Sequence, residues 1–264
     1  MAHVISITNQ KGGVGKTTTS ISLSTALAKS EAKVLLIDAD SQFNTTSGLN
    51  AKNNKTFYDF LWSENPDLSP YIQTTKYPAL SLIGADPRLS GLEFEWSGLD
   101  QNKHILKKKL DPIEKEYDFI FIDCPPSLGL LTVNALVASR FFIVPLQCEY
   151  YALEGLSLLL NTACSIKENL NPDLTLQGIL LTMFDSRNTL SHKVVEQVRL
   201  HFKDKVFQTV IPRNVRLSEA PSHGVSILDY APDSTGALAY NKLAEELTER
   251  LNFNSEVFKE NVLR

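Results

Sequence analysis

The stretch Gln10 to Ser20, Gln-Lys-Gly-Gly-Val-Gly-Lys-Thr-Thr-Thr-Ser, constrains this chain more than any other. The apolar run Val4, Ile5, Ile7 before it suits a buried strand, and Ile21, Leu23, Ala26 and Leu27 after it suit one face of a helix. A glycine-rich turn between a strand and a helix is a phosphate cradle. Glycines let the backbone approach the oxygens, successive N–H groups point inward, and the helix N-terminus adds a partial positive charge. Gly12, Gly13, Val14, Gly15 and Thr18 would line such a cradle, Lys16 would reach β- and γ-phosphates, and the Thr17 hydroxyl would ligate Mg²⁺. The alternative is a glycine turn carrying two surface lysines. A dinucleotide fold is disfavoured, because Gly12, Gly13 and Gly15 do not form Gly-x-Gly-x-x-Gly.

Two further apolar runs end in carboxylates. Val34 to Ile37 leads into Asp38-Ala39-Asp40, at the C-terminal end of a strand, where open α/β sheets bind ligands. On spacing alone, Asp40 could orient a water on a γ-phosphate, or Asp38 and Asp40 could merely cap the next turn. Tyr117 to Ile122 leads into Asp123-Cys124-Pro125-Pro126, the Walker B arrangement, in which the carboxylate holds the Mg²⁺ shell. Pro125 and Pro126 stop that strand at once.

The glycine box departs from the general phosphate-loop pattern, with Gln10 where that pattern has glycine and an added Lys11. In this it resembles the deviant Walker A box, Lys-Gly-Gly-x-Gly-Lys-Thr, of the ParA/MinD ATPases. The resemblance implies that Lys11 crosses a dimer interface to touch the partner's nucleotide. It also assigns water activation to Asp40, from the family pattern Asp-x-Asp-Pro-Gln-Gly-Asn. Here that segment reads Asp38-Ala39-Asp40-Ser41-Gln42-Phe43-Asn44, with Ser41 for proline and Phe43 for glycine. A bulky aromatic at that position loses easy access to positive φ.

The stretches Gln147 to Gly155 and Ile211 to Ser222 are similar to the chromosome-partitioning branch of that family, ParA/Soj. The likeness runs from about Val4 to about Leu251 and is weakest between Ala51 and Leu99. It implies that the loops Met183 to Asp185 and Pro212, Arg213, Asn214 lie near the adenine. It also aligns Arg187 and Arg216 with arginines that bind DNA without sequence preference. The span from Arg187 to Arg216 carries seven basic residues and two acidic ones, in a chain whose formal net charge is -4. Such segregation is the electrostatic footprint of nucleic-acid binding, a solvated helix face being the alternative.

The remaining pattern alternates. Strands are expected at Leu80–Ile83, Phe141–Leu146, Leu176–Leu181 and Phe207–Ile211. Helices are expected at Phe57–Trp62, Asn102–Tyr117, Leu153–Ile166 and Ser191–Phe202, with a last one from Ala237 to Leu251. Lys107, Lys108 and Lys109 read as a solvated face. This order predicts an α/β fold, a mostly parallel sheet with helices on both faces, and the resemblance implies that it is a P-loop NTPase of the deviant Walker A type. At 264 residues a single domain is expected, with 251–264 as a C-terminal tail. Cys124, Cys148 and Cys164 form no Cys-x-x-Cys pair, so neither a disulfide framework nor a zinc ribbon is indicated, and a reduced, cytoplasmic setting fits.

The resemblance thus implies an ATP- and Mg²⁺-dependent hydrolase, weak alone, that forms an ATP-bridged homodimer. Lys11, Lys16 and Asp40 would serve catalysis, and Thr17, Asp40 and Asp123 the metal. The dimer would bind non-specific double-stranded DNA on the nucleoid and segregate chromosome or plasmid with a ParB-like partner. Two alternatives stay open. A MinD-like membrane ATPase would need a basic amphipathic C-terminal helix, whereas Glu249 to Arg264 has three acidic and three basic residues, so no membrane is expected. The other is a metabolic enzyme or cluster carrier on the same scaffold; the iron–sulfur carriers and reductases among these use interface cysteines, whose motif Cys124, Cys148 and Cys164 do not form.

Overall fold

The computed structural model describes residues 1–51, 55–64, 67–96, 100–149 and 152–253. In chain order the elements are β1 (His3–Ile7), α1 (Lys16–Lys29), β2 (Val34–Asp38), α2 (Asn44–Gly48), α3 (Phe57–Trp62), β3 (Gln73–Thr74), β4 (Leu80–Ile83) and α4 (Leu92–Glu95). Then come α5 (Ile105–Leu110), β5 (Phe119–Asp123), α6 (Leu130–Ala138), β6 (Phe141–Gln147), α7 (Ala152–Asn169) and β7 (Thr175–Thr182). The last are α8 (Thr189–Phe202), α9 (Val215–Glu219), α10 (Ile227–Tyr230) and α11 (Thr235–Arg250). The strands form one seven-stranded sheet in the order β3-β4-β2-β5-β1-β6-β7, parallel except for the edge strand β3.

Every residue of β2 and β5 is buried, as a parallel sheet covered on both faces requires. Side chains alternate between two cores. Ile5, Ile7, Leu36 and Phe121 face α1, α10 and α11. Val4, Leu35, Ile37 and Ile122 face α3, α5 and α6, and beyond them Val144 and Ile179 meet α7 and α8. Helix α1 is unusual in burying Thr19, Ser20, Ser22, Ser24 and Thr25. Small residues there let it lie close under the strand ends, with the Thr19 and Tyr240 hydroxyls in a 3.1 Å hydrogen bond to α11.

Two expected elements differ. Asn102–Tyr117 is not one helix but α5 between two 3₁₀ turns, Asp100–His104 and Glu114–Glu116. Pro112 has no N–H for the carbonyl of Lys108. At the other end Asn134 from α6 accepts from the Leu106 amide at 3.2 Å and donates to the Asn102 carbonyl at 2.8 Å. Phe207–Ile211 is not a strand. It runs beside β7 with two hydrogen bonds, Phe207 N–H to the Ile179 carbonyl at 3.0 Å and Ile211 N–H to the Leu181 carbonyl at 2.9 Å. Between them the Gln208 and Thr209 amides are taken by the Glu246 carboxylate of α11, at 2.7 and 2.9 Å, in place of a ladder. Gly178 admits the segment, since a Cβ there would stand 2.5 Å from the Phe207 ring.

Candidate nucleotide-binding site

The sheet order puts β1 between β5 and β6, so the chain leaves β1 between the ends of those two strands and turns into α1. Gly13 (φ 74°) and Gly15 (φ 94°) hold left-handed conformations in that turn, open to glycine without strain. Asn9 fastens the entrance, donating to the Pro145 carbonyl at 2.7 Å and accepting from the Lys11 amide at 3.0 Å. Thr182, at the end of β7, fastens the exit through a 2.8 Å bond to the Val14 carbonyl. The two lysines diverge. Lys16 is buried and its ammonium donates to the Lys11 carbonyl at 3.1 Å. Burial pushes its pKa down, with Asp123 pulling it back up. Lys11 is half exposed and points away, to Glu149 at 2.6 Å.

Asp38 and Asp123 are register partners at the ends of β2 and β5. The Asp123 Oδ2 accepts from the Thr17 hydroxyl at 2.8 Å and the Thr45 hydroxyl at 2.7 Å, and its Oδ1 from Ser20 at 3.1 Å. Burial pushes this carboxyl up, and the bonds from Thr45 and Thr17 pull against it. The Asp38 carboxylate accepts from the Thr46 amide at 2.8 Å, the Thr46 hydroxyl at 2.7 Å and the Asp40 amide at 3.2 Å. Burial and the neighbouring charge of Asp123 raise it as well. Asp38 therefore holds the turn. Asp40, also buried, accepts from the Gln42 amide at 3.0 Å through one oxygen.

Phe43 follows with φ 44° and ψ 35°, a left-handed conformation, and the residue is 40% exposed. The aromatic residue therefore occupies the region that its side chain disfavours. The loop compels it. The Phe43 amide donates to the Asp40 carbonyl at 2.9 Å, and the Phe43 carbonyl accepts from the Ser47 amide at 3.0 Å.

A cleft of about 310 Å³ opens beside the cradle, lined by Gly15, Thr18, Met183, Pro212, Arg213 and Asn214 among others. Its two loops are stitched together by Phe184 N–H to the Ile211 carbonyl at 3.1 Å and Arg213 N–H to the Phe184 carbonyl at 2.9 Å. Asp185 is not in the lining. It is turned to Arg187, with bonds of 3.0 and 2.9 Å to the guanidinium that hold its carboxyl down to about 2. Arg216 pairs with Glu219 at 3.1 Å and lies over the Tyr230 ring. Both arginines are well exposed, yet each has an acidic neighbour just outside the span counted in the sequence, so the local positive excess is smaller than that count gives.

Ser20, Thr45, Thr182 and Glu149 were not among the expected site residues. Glu149 falls within a stretch that carries the family likeness and Ser20 closes the glycine-box stretch, whereas nothing local marks Thr45 and Thr182. Tyr150 and Tyr151 of that stretch, and 254–264 of the tail, lie outside the described residues. Among the described residues no helix is long and apolar enough to cross a membrane. Burial pushes the thiols of Cys124 and Cys148 up to about 12.

The site fits a nucleotide polyphosphate with Mg²⁺. Where a Cβ would stand on Gly12 or Gly13 there is open space, leaving bare backbone along the loop. The buried Lys16 ammonium supplies the charge. Thr17 and Asp123 are hard oxygen donors already in contact. Mg²⁺ takes one or two protein carboxylates together with phosphates and waters, an oxygen set that these two residues begin.

Residues 2–176 match a family model described as an AAA domain. The chain is 50% identical over 250 residues to the sporulation initiation inhibitor protein Soj of Bacillus subtilis, covering 94% of this chain and 98% of that protein. It is 49% identical over 253 residues to the chromosome partitioning protein ParA of Myxococcus xanthus, covering 95% and 89%. A solved structure named cobyrinic acid a,c-diamide synthase, from Mycobacterium smegmatis with bound ADP and magnesium, superposes with a TM-score of 0.82 at 34% identity, covering 96% of each chain. With its parallel sheet and its deviant phosphate loop, the chain belongs to the Soj/ParA family of chromosome-partitioning ATPases.

Proposed function

We propose that two copies of this chain close over bound Mg-ATP into a sandwich dimer that binds DNA without sequence preference, and that a ParB-like partner stimulates hydrolysis and releases it. Bound Mg-ATP supplies the phosphoanhydride to be cleaved and a cation that neutralises charge developing on its oxygens. Gly12, Gly13, Val14 and Gly15 offer backbone N–H groups to the phosphates, Lys16 places its charge against them, and Thr17 with Asp123 holds the cation. Asp40 orients the attacking water. Met183 and Pro212 to Asn214 flank the base. Arg187 and Arg216 of both copies meet phosphates of the duplex in the cytoplasm, on the nucleoid, with the whole chain acting as one unit.

The observation that carries this reading is the divergence of the two lysines. Lys16 folds under its own loop, whereas Lys11 reaches outward to a half-exposed partner 2.6 Å away. An ammonium on that side of the loop is free to serve a nucleotide held by another copy, because an exposed ion pair is worth at most about 1 kcal/mol. The test is light scattering of purified protein with Mg-ATP. Wild type should run as a dimer, Lys11→Ala should bind nucleotide and stay monomeric, and a dimeric Lys11→Ala would defeat the sandwich. DNA-stimulated turnover then separates partitioning from a small-molecule amidation of the kind named for the mycobacterial neighbour.

A further inference from the structure

Asp123 receives three hydroxyl bonds, and they come from two elements. Thr17 and Ser20 lie on α1 and belong to the phosphate loop's own helix. Thr45 does not. It lies on α2, directly after the loop that carries Asp40, and crosses from the end of β2 to the end of β5 to donate at 2.7 Å. Its neighbour Thr46 does the same toward Asp38, with hydroxyl and amide at 2.7 and 2.8 Å. Two adjacent threonines thus pin one short helix to the two strand-end carboxylates, and both threonines are buried.

An ionised carboxylate has about four acceptor sites in its plane. On Asp123 the Oδ2 pair is filled by Thr17 and Thr45, while Ser20 divides its one proton between Oδ1 at 3.1 Å and the Lys16 carbonyl at 3.0 Å, which leaves Oδ1 the open oxygen. A carboxylate whose Oδ2 takes two hydroxyls from two different helices cannot rotate freely. The Thr17 hydroxyl, its proton spent on Asp123, has its lone pairs free for a cation. The Thr45 bond therefore does two things at once: it sets the rotation of the metal-side carboxylate, and it ties the Asp40 loop to it. The strained Phe43 is evidence that this loop is held rather than relaxed.

We infer that Thr45 is a positioning residue of the ATPase, its hydroxyl locking the orientation of Asp123 and coupling the Asp40 loop to the cation. This rests on the reading of Asp123 as the metal-side carboxylate. Thr45→Val keeps the shape and removes the donor, Thr45→Ala is the second form of the same loss, and Thr45→Ser keeps the hydroxyl. Nucleotide binding is followed by the fluorescence of a labelled ATP analogue, first in EDTA and then over a Mg²⁺ titration, with turnover measured in parallel.

Thr45→Val and Thr45→Ala should bind nucleotide normally in EDTA but need roughly tenfold more Mg²⁺ for half-saturation, and kcat should fall roughly tenfold with KM nearly unchanged, the scale of one lost hydrogen bond to a charged group. Thr45→Ser should restore both to within about twofold. Wild-type Mg²⁺ dependence in both Thr45→Val and Thr45→Ala overturns the inference, and so does failure of Thr45→Ser to rescue. Asp123→Asn separates the layers. If it loses the Mg²⁺ response while Thr45→Val keeps it, the coupling alone is wrong; if neither variant changes, the assignment of Asp123 falls with it.

Discussion

Lys16 and Lys11 are joined through the loop they bracket, the ammonium of the first donating to the backbone carbonyl of the second at 3.1 Å. The loop so closed is a ring with one cation folded inside and the other, on Glu149, outside. Two substitutions of like charge should therefore have unlike effects. Lys16→Ala is expected to weaken Mg-ATP binding on the order of a hundredfold, since it removes the buried charge set against the phosphates, while Lys11→Ala should bind within a few-fold of wild type. Fluorescence titration with a labelled nucleotide measures both, and equal losses would contradict the division.

Asp40 binds its own loop through the Gln42 amide and is placed after a strand end. If it orients the water, Asp40→Ala should bind ATP and accumulate as dimer while turnover falls at least about tenfold, because water positioning acts on the transition state rather than on binding. The lost cap should lower stability by only about 1 kcal/mol. Turnover unchanged with the dimer intact would move the role to another residue.

Phe43 at φ 44° predicts a side-chain order that runs against ordinary size rules. The left-handed conformation costs a non-glycine residue about 1–2 kcal/mol, and a β-branched one more. Phe43→Gly should be at least as stable as wild type, and Phe43→Val less stable by about 1 kcal/mol or more. Urea denaturation decides it, and a Val variant as stable as the Gly one would show that the loop relaxes.

Glu246 substitutes for a strand in the segment that leads to the cleft. Glu246→Ala leaves the Gln208 and Thr209 amides without their carboxylate and should cost about 2–4 kcal/mol, with weaker nucleotide binding as Pro212 to Asn214 loosen. Burial raises the Glu246 carboxyl, but the amide bonds and Arg250 outweigh it, so its folded pKa lies below the ordinary value. A depressed acid stabilises above its unfolded pKa and loses that contribution as pH falls through the folded one. The gap between wild type and variant should thus be full at neutral pH and narrow below about pH 4.3, the ordinary glutamate value. A gap that does not change with pH would assign the loss to packing.

Arg187 and Arg216 carry intramolecular partners, Asp185 and Glu219. DNA phosphates must compete with these, which is feasible because both pairs are exposed and worth at most about 1 kcal/mol. Four arginines in a dimer would contribute about -3.6 to the slope of log affinity against log salt for B-DNA. Arg187→Glu with Arg216→Glu should abolish ATP-dependent duplex binding at moderate salt and leave ATP affinity and dimerisation intact. Binding that survives with its slope unchanged would place the footprint elsewhere.

What the sequence determined by itself was the cradle, the strand-end carboxylates and the alternation of buried strands with helices. Each is written in a window of about ten residues, where glycine spacing and apolar period act directly on the backbone. Phe207–Ile211 misled because apolar content fits a strand, whereas pairing depends on which group meets the amides, and that group is Glu246, distant in sequence. The donors of the site were hidden for the same reason. Thr45 lies 78 residues from Asp123, Ser20 lies 103, and Thr182 lies 168 residues from Val14. Only the order β2-β5-β1-β6-β7 brings these hydroxyls to one end of one sheet. A threonine carries no local sign of which carboxylate or carbonyl it will meet, because its partner is chosen by strand crossover and not by spacing.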